Sequence, residues 1–288
     1  MNNNLYKIIF SKRLNKLIVV GENAKSATKA PGVSSAKKGG SRFSARGLKA
    51  LAGTLAFSLS TGMALADPAA NALPSGAQVA QGDVSISQSP NNTLTINQTT
   101  DRAVVNWQSF DIGSAAAVNI VQPNSNSVQL DRVVGDNPSQ IFGSLTSNGH
   151  VVLINPNGIV FGQDGSVNAS GFTASTLNTS DSDFMSGNAH YSAKGANGSV
   201  VNHGTIQAAS GGYVALLGAT VSNDGKIVTP QGTTYLAAAE TVTIPVSSSG
   251  KIKLELTPSA INAAVSNTGN GVIHAEGGHV FLQASAIN

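Results

Sequence analysis

Val201-Asn202-His203-Gly204-Thr205-Ile206 returns 21 residues later as Ser222-Asn223-Asp224-Gly225-Lys226-Ile227, and a looser copy stands at Ser266-Asn267-Thr268-Gly269-Asn270-Gly271-Val272-Ile273. Each copy leads into a glycine and an apolar run: Gly212-Tyr213-Val214-Ala215-Leu216-Leu217, Gly232-Thr233-Thr234-Tyr235-Leu236 and Gly278-His279-Val280-Phe281-Leu282. One period therefore holds at least two strands and two turns. A unit this short cannot enclose a core of its own. Its inward Val, Ile and Leu must stack on the units before and after it, which predicts a parallel β-helix. Asn and Gly suit the corners because both accept left-handed backbone angles, and stacked Asn side chains can hydrogen-bond along the coil axis.

Outward from the repeat, the chain after Asp67 shows short Val, Ile, Leu and Thr runs broken every few residues by Asn and Gly, with no sustained helical spacing. Asp83-Val84-Ser85-Ile86-Ser87, Thr93-Leu94-Thr95-Ile96 and Ala117-Val118-Asn119-Ile120-Val121 are examples; residues 258–265 alone suggest a helical turn. The fold class predicted is all-β, a right-handed parallel β-helix built as a single-stranded solenoid. At about 21 residues per coil, 222 residues allow roughly ten coils and about 45 Å of stack, less whatever is diverted. Three diversions are expected. The first strands after Asp67 form an N-terminal cap over the open end. Val242-Thr243-Ile244-Pro245-Val246 and Lys251-Ile252-Lys253-Leu254-Glu255-Leu256, around Ser247-Ser248-Ser249-Gly250, read as an extra-helical β-hairpin. Residues 178–198 are polar and irregular and read as a loop.

The first 66 residues are different in kind. They hold 11 Lys or Arg against one acid, Glu22, whereas the remaining 222 hold 6 Lys or Arg and 13 Asp or Glu. The basic balance of the whole chain thus belongs to the leader, and the body is acidic and sparse in charge, which argues against a phosphate-binding groove and so against nucleic acid. From Ala50 to Leu65 no residue is charged, and Arg42, Arg46 and Lys49 precede this run. Basic then apolar is the order of a secretory signal, and a run with Gly53, Ser58 and Ser60 inside it is too weak for a membrane span. Ala64 and Ala66 supply the small residues that signal peptidase reads, so cleavage is predicted after Ala66, dividing the chain into 1–66 and 67–288. The basic region ahead of the apolar run is unusually long. Cysteine is absent, which removes disulfides and thiolate sites and suits a chain that crosses an oxidising periplasm unfolded.

Asn155-Pro156-Asn157-Gly158-Ile159 joins the runs Val151-Val152-Leu153-Ile154 and Ile159-Val160-Phe161. Pro presets the second position of a β-turn, and Asn and Gly accept the angles that follow. Further segments stand in order around it: Asn106-Trp107-Gln108-Ser109-Phe110-Asp111-Ile112-Gly113, Val118-Asn119-Ile120-Val121, Leu130-Asp131-Arg132-Val133-Val134-Gly135, Ile141-Phe142-Gly143-Ser144-Leu145 and Ala174-Ser175-Thr176-Leu177. In this company the turn resembles the hallmark of the two-partner secretion domain of filamentous haemagglutinins, haemolysins and contact-dependent inhibition exoproteins. The leader, with its Tyr6-to-Asn15 and Val19-to-Glu22 segments, resembles the extended signal peptide of Gram-negative autotransporters and two-partner exoproteins. That family often carries a second motif, Asn-Pro-Asn-Leu, upstream. Its counterpart here is Gln122-Pro123-Asn124-Ser125, which departs at the first and last positions.

The resemblance implies export through the Sec translocon, processing by signal peptidase, and recognition by the periplasmic POTRA domains of a cognate outer-membrane β-barrel transporter of the TpsB type. It places the product at the surface of, or outside, a Gram-negative bacterium, as part of an adhesin-like exoprotein. Contact with a host or neighbouring cell would be made by sequence beyond Asn288. No cofactor is implied.

Catalytic and metal-binding patterns are not found. The five histidines, His150, His190, His203, His274 and His279, show no two-His spacing, and Asp181-Ser182-Asp183 lacks the further ligands of a calcium loop, so both read as polar turn or loop residues. A second class remains open, because parallel β-helices also include polysaccharide lyases, whose grooves combine several carboxylates with Arg or Lys. With Arg102, Arg132, Lys194, Lys226, Lys251 and Lys253 as the only fixed cations after Ala66, such a groove is thinly supplied, and a non-enzymatic secretion domain is the stronger reading.

Overall fold

Alternation in the sequence fixes which side chains enter the coil. The computed structural model describes residues 6–11, 16–21, 66–244, 255–257 and 263–285. Within them, strands Thr93–Gln98, Ala117–Val121, Ser144–Ser147, Ser166–Ala169, Thr205–Ala208, Lys226–Val228 and Val272–His274 stack in parallel as one face. Their inward residues form a column, Leu94, Val118, Leu145, Val167, Ile206, Ile227 and Ile273, each opposite the next. Every second residue points to solvent, so this face alternates apolar and polar.

The second face comprises Arg102–Trp107, Val128–Val133, His150–Ile154, Gly171–Ser175, Tyr213–Gly218, Thr233–Ala238 and His279–Ala284, again parallel. Here Gly171–Ser175 and Thr233–Ala238 are buried throughout. Inward residues meet the lumen, and outward residues such as Val104, Leu130, Val152, Ala215 and Tyr235 form a second apolar cluster under an external cover. The near-continuous apolar runs of this face reflect burial on both sides. The third face is shorter, with Ser139–Ile141, Ile159–Phe161, Ser199–Asn202, Thr220–Asn223 and Ala264–Asn267. Three stacked faces make the expected parallel β-helix.

Seven rungs result, fewer than composition alone would allow, for three reasons. Gln78–Gln81 and Val84–Ser89 run antiparallel to Arg102–Trp107 and Thr93–Gln98 at the outer edge of two faces, and these are the expected cap. The segment 178–198 leaves the coil between the second and third faces. It is not the loop expected from its polarity: it contains a helix, Asp181–Ser186, and a strand, Ala189–Ser192. The helix starts because Ser180 Oγ accepts the Asp183 amide at 3.1 Å and ends at Gly187 in the left-handed region, φ +83°. From the same corner two coils later, Thr241–Ile244 departs and pairs antiparallel with Glu255–Thr257, the expected hairpin pairing. It also pairs with Ala189–Ser192, so the two excursions share one three-stranded sheet. The hairpin turn Ser247–Gly250, the start of its second strand and residues 258–262 lie outside the described residues. Val265 belongs to the strand Ala264–Asn267, not to a helical turn; its alternation follows Val221 beneath it.

The Asn-x-Gly repeat forms a corner ladder. Asn202, Asn223 and Asn267 stand in register, and each amide reaches the next: Asn202 Nδ2 donates to Asn223 Oδ1 at 2.7 Å, and Asn223 Nδ2 to Asn267 Oδ1 at 2.6 Å. The glycines that follow have a separate reason. A Cβ on Gly232 would fall within the van der Waals radius of the Gly212 carbonyl oxygen, and one on Gly278 would meet that of Gly232, so the corner between the first and second faces packs backbone on backbone.

The leader forms a separate unit, in which Tyr6–Ser11 pairs antiparallel with Lys16–Gly21, Tyr6 opposite Gly21. Ala64 and the apolar run from Ala50 lie outside the described residues.

Replacing Asn223 with Ala would leave the Asn202 amide and the Asn267 carbonyl without their axial partners. The expected cost is about 1–3 kcal/mol of stability by urea unfolding, because the buried Asn202 amide loses its bond without regaining water, whereas Asn267 is exposed. Asn270→Ala, at an exposed position outside the ladder, is expected to change stability by less than about 0.5 kcal/mol.

Candidate functional site

Asn155 is wholly buried at the corner between the second and third faces, whereas Asn157 is exposed. The Asn155 side chain binds in two directions. Its Nδ2 donates to the Asn137 carbonyl at 2.9 Å and to Ser139 Oγ at 3.0 Å on the preceding coil, and its Oδ1 accepts the Asn157 amide at 3.0 Å within the turn. On the following coil, the Ser175 carbonyl receives the Asn155 amide at 2.9 Å. Gly158 closes the turn with φ +125° and donates to the Asn155 carbonyl at 3.1 Å, while its own carbonyl accepts the Ser139 amide. Gly198 lies against the Pro156 carbonyl from the coil beyond. The motif is therefore a staple across successive coils, with only Pro156 and Asn157 offering surface. Asn157 Nδ2 spends a bond on the Gly135 carbonyl at 2.9 Å.

The upstream candidate, Gln122-Pro123-Asn124-Ser125, divides the same way. Gln122 is buried; its Nε2 donates to Gln98 Oε1 at 3.2 Å and to the His150 carbonyl at 3.3 Å, and its Oε1 accepts Ser147 Oγ at 2.6 Å. Asn148 grips its backbone from the next coil, accepting the Gln122 amide and donating to its carbonyl. The longer Gln at the first position of the motif thus spans three coils at once. Pro123, Asn124 and Ser125 are exposed, and Asn124 organises the turn by accepting the Asn126 amide at 2.9 Å. Ala66, just ahead of the predicted cleavage point, is the first residue of the coil unit described, and its carbonyl accepts Gln140 Nε2 at 3.0 Å.

Residues that the sequence left unassigned hold the excursion down. Arg132 Nη1 pairs with Asp181 Oδ1 at 2.6 Å and reaches Asn106 Oδ1 at 3.3 Å, its Nε donates to Asn178 Oδ1 at 3.0 Å, and its Nη2 to the Thr179 carbonyl at 2.8 Å. Arg102 Nη1 donates to the Phe184 carbonyl at 3.0 Å, with the guanidinium over the Phe184 ring. Asp181 and Asp183 are thus the first turn of a clamped helix and not a free loop. These are the only two arginines after the leader, and both are committed to one cover. Beneath that cover lies a cavity of about 280 Å³ lined by Arg102, Val128, His150, Phe184, Tyr191 and Tyr213. His150 and Tyr213 stack at 5.4 Å across Gly171, which stands between them in the register and has no side chain to interpose. Burial, and then the Arg102 charge, hold His150 below its ordinary pKa.

Two histidines stand near an acid, all four groups well exposed: His203 Nδ1 lies 3.6 Å from Asp224 Oδ2, and His274 Nε2 lies 3.8 Å from Glu276 Oε2, its neighbour two residues on in the sequence. The first pair comes from successive copies of the repeat, a proximity legible only once the period is laid in register. Among the described residues no group of three potential metal ligands comes together.

Comparison with known proteins agrees with this architecture. The model of the TPS secretion domain matches residues 70–288, and that of the extended signal peptide of the type V secretion system matches residues 1–60. A heme/hemopexin-binding protein of Haemophilus influenzae is 36% identical over 223 residues, 75% of this chain and 24% of that protein. A second protein of the same description, also from Haemophilus influenzae, is 44% identical over 95 residues, 33% of this chain and 10% of that protein. The chain thus spans at most about a quarter of either relative's length. The crystal structure of the HMW1 secretion domain from Haemophilus influenzae superposes with a TM-score of 0.65 at 36% identity, covering 72% of this chain and 55% of that one.

If Arg132 clamps the excursion, Arg132→Met strands three acceptors on residues 178–181. Limited proteolysis within 178–198 is then expected to quicken by about tenfold, equivalent to about 1.4 kcal/mol of local opening, while the rungs stay protected. Equal cleavage of parent and variant would remove the clamp from the account.

Proposed function

From the premise that this chain belongs to the TPS secretion domain family, with an extended signal peptide ahead of the coil, we propose that residues 67–288 target an exoprotein for export through a cognate outer-membrane barrel of the TpsB type. The observation that carries the reading is that the family match spans the whole coil, and that the coil is held by bonds between segments far apart in sequence. Asn202 and Asn223 are 21 residues apart, Asn223 and Asn267 are 44 apart, and Arg132 and Asp181 are 49 apart. No coil has its partners until its neighbours have emerged, so the chain stays extended while it is threaded. An extended chain offers backbone donors and acceptors to the sheet edge of a periplasmic POTRA domain. Once coils stack outside, return is opposed by the whole folding free energy.

In this reading the leader directs the chain to the Sec translocon, and signal peptidase cleaves after Ala66, between Ala64-Leu65-Ala66 and Asp67. The match to the extended signal peptide ends at residue 60 and that to the secretion domain begins at 70, which supports a junction in this interval. The turn Asn155–Ile159 acts by closing coils and not by touching the transporter, since its first side chain, Asn155, is buried and its bonds are internal. Gln122 does the same at the other corner. The binding named for the two relatives, heme and hemopexin, is assigned to the exoprotein as a whole and not to this coil. A β-helical lyase has no support in the family, which is one of secretion domains.

Co-expression in a Gram-negative host tests the reading. The chain fused to a reporter is expected in the medium only when the cognate transporter is present; release without it would refute the assignment. Deleting 155–159 is expected to abolish release. Asn155→Ala should lower stability by about 3 kcal/mol, since several buried bonds are lost together, and lower release with it. Asn157→Ala should leave release within about twofold. Loss of release by Asn157→Ala at unchanged stability would instead make that side chain a recognition element.

A further inference from the structure

The inward column of the second face reads Val105, Asp131, Leu153, Ala174, Leu216, Leu236 and Leu282, each opposite the next. One member is a carboxylic acid. Asp131 is fully buried and is the only acidic or basic side chain among the buried described residues. Val105 and Leu153 flank it axially, and Trp107, Val133 and Val151 are its apolar neighbours in the lumen cluster. No cation shares that lumen. Arg132, next in sequence, projects to the opposite side of the strand, where it pairs with Asp181.

The bonding of Asp131 is lopsided. Trp107 Nε1 and Gln129 Nε2 both donate to the same oxygen, Oδ1, at 2.9 and 2.8 Å. The other oxygen, Oδ2, has no partner, and neither does Gln129 Oε1, two residues away on the same side of the strand. Two buried acceptors without a donor would each cost about 1–3 kcal/mol, and an unpaired buried anion more. A proton on Oδ2 removes the charge and turns one of the two unpartnered acceptors into a donor.

We propose that Asp131 is a proton-binding site created by folding: the carboxyl enters the coil neutral, carrying hydrogen on Oδ2, and closing the coil draws one proton from the surrounding medium. The O–H bond formed is the only covalent change, the proton comes from bulk solvent, and the folded chain is more positive by one unit than the extended chain. Desolvation supports this direction, pushing the carboxyl up to about 7 against the pull of its Gln129 and Trp107 bonds. In the extended chain the group is an ordinary aspartate, ionised above about pH 4. The folded form therefore binds more protons between about pH 4 and 7. The contribution to stability is complete at the acid end, falls as pH rises through that window, and levels off above it. If the coil forms outside the outer membrane, as proposed above, the proton is taken from the external medium; the binding itself does not depend on that reading.

The exported, processed chain provides the test, by urea unfolding from pH 5 to 8 with Asp131→Asn alongside. Asn keeps the acceptor at Oδ1 and places an amide donor where the proton would sit. One proton taken up predicts that the parent's folding equilibrium constant falls from this site by about fiftyfold between pH 5 and 7 and by about a hundredfold by pH 8. Asp111, raised chiefly by burial, and His150, lowered chiefly by burial, add slopes of opposite sign, but they are common to both proteins. The stability of Asp131→Asn relative to parent is therefore expected to rise by about a hundredfold across this range. Parallel pH profiles would overturn the proposal. Should Asp131→Asn not fold, carboxyl-labelled aspartate in the parent decides: one carbon resonance titrating near neutrality supports the site, and all carboxyls ionised by pH 5 refutes it. Neither measurement uses the transporter, so failure here leaves the export assay to stand or fall separately.

Discussion

Axial hydrogen bonding between coils is the constraint on which everything else in this molecule rests. A solenoid turns a corner three times per coil, and each corner exposes backbone groups that no strand pairing satisfies. This chain meets the need with polar side chains that look along the axis. Asn202, Asn223 and Asn267 do so at one corner, Gln98 and Gln122 at another, and Asn155 at the turn entering the third face. Each has at least one bond to a residue of the coil above or below. The apolar columns supply most of the burial and forbid a slip of one residue, but hydrophobic side chains alone would tolerate a slip of two. The corner amides do not, because a slip would bury donors without acceptors.

That dependence explains which parts of the fold could be read from sequence. The period of 21, the Asn-Gly corners and the alternating first face are local patterns, and the parallel coil, its cap and the pairing of the hairpin follow from them. The polar segment 178–198 reads as a loop in sequence and folds into a helix and a strand because its order is not local. Its helix has six residues, too few to hold on their own, and is secured by Arg102 and Arg132 from coils roughly 50 to 80 residues earlier. A signal was nevertheless present. Val151-Val152-Leu153-Ile154 and Tyr213-Val214-Ala215-Leu216-Leu217 are apolar without alternation, which a strand with one face in water would not be. Those runs require a cover, and the only two arginines after residue 66 are its fasteners.

The site was legible in a different sense. Asn155-Pro156-Asn157-Gly158-Ile159 announces a turn, and the structure shows why that turn must have Asn first: the amide is both an acceptor within the turn and a donor to the coil before it. A sequence motif that is specific to a family need not mark a surface of contact. Here specificity arises because few side chains satisfy a buried corner from both sides. Asp131 is the converse case. Its neighbours Leu130 and Val133 mark a strand, but nothing in Leu-Asp-Arg-Val tells which side of that strand meets the lumen. Only the register with Val105 and Leu153 shows that the acid is inside.

Both excursions leave from the same corner, between the second and third faces, and the coil between them turns there without interruption. Val160 stands opposite Val201 and Val201 opposite Ser222 although the first step carries an inserted subdomain and the second does not. The corner is a socket: the solenoid registers only the two strands on either side and is indifferent to the length of chain that passes between them. Foreign peptides spliced into the uninterrupted coil at residues 218–220 would therefore ride outward on an intact scaffold, making this lip of the coil suited to displaying epitopes or enzymes on a bacterial exterior.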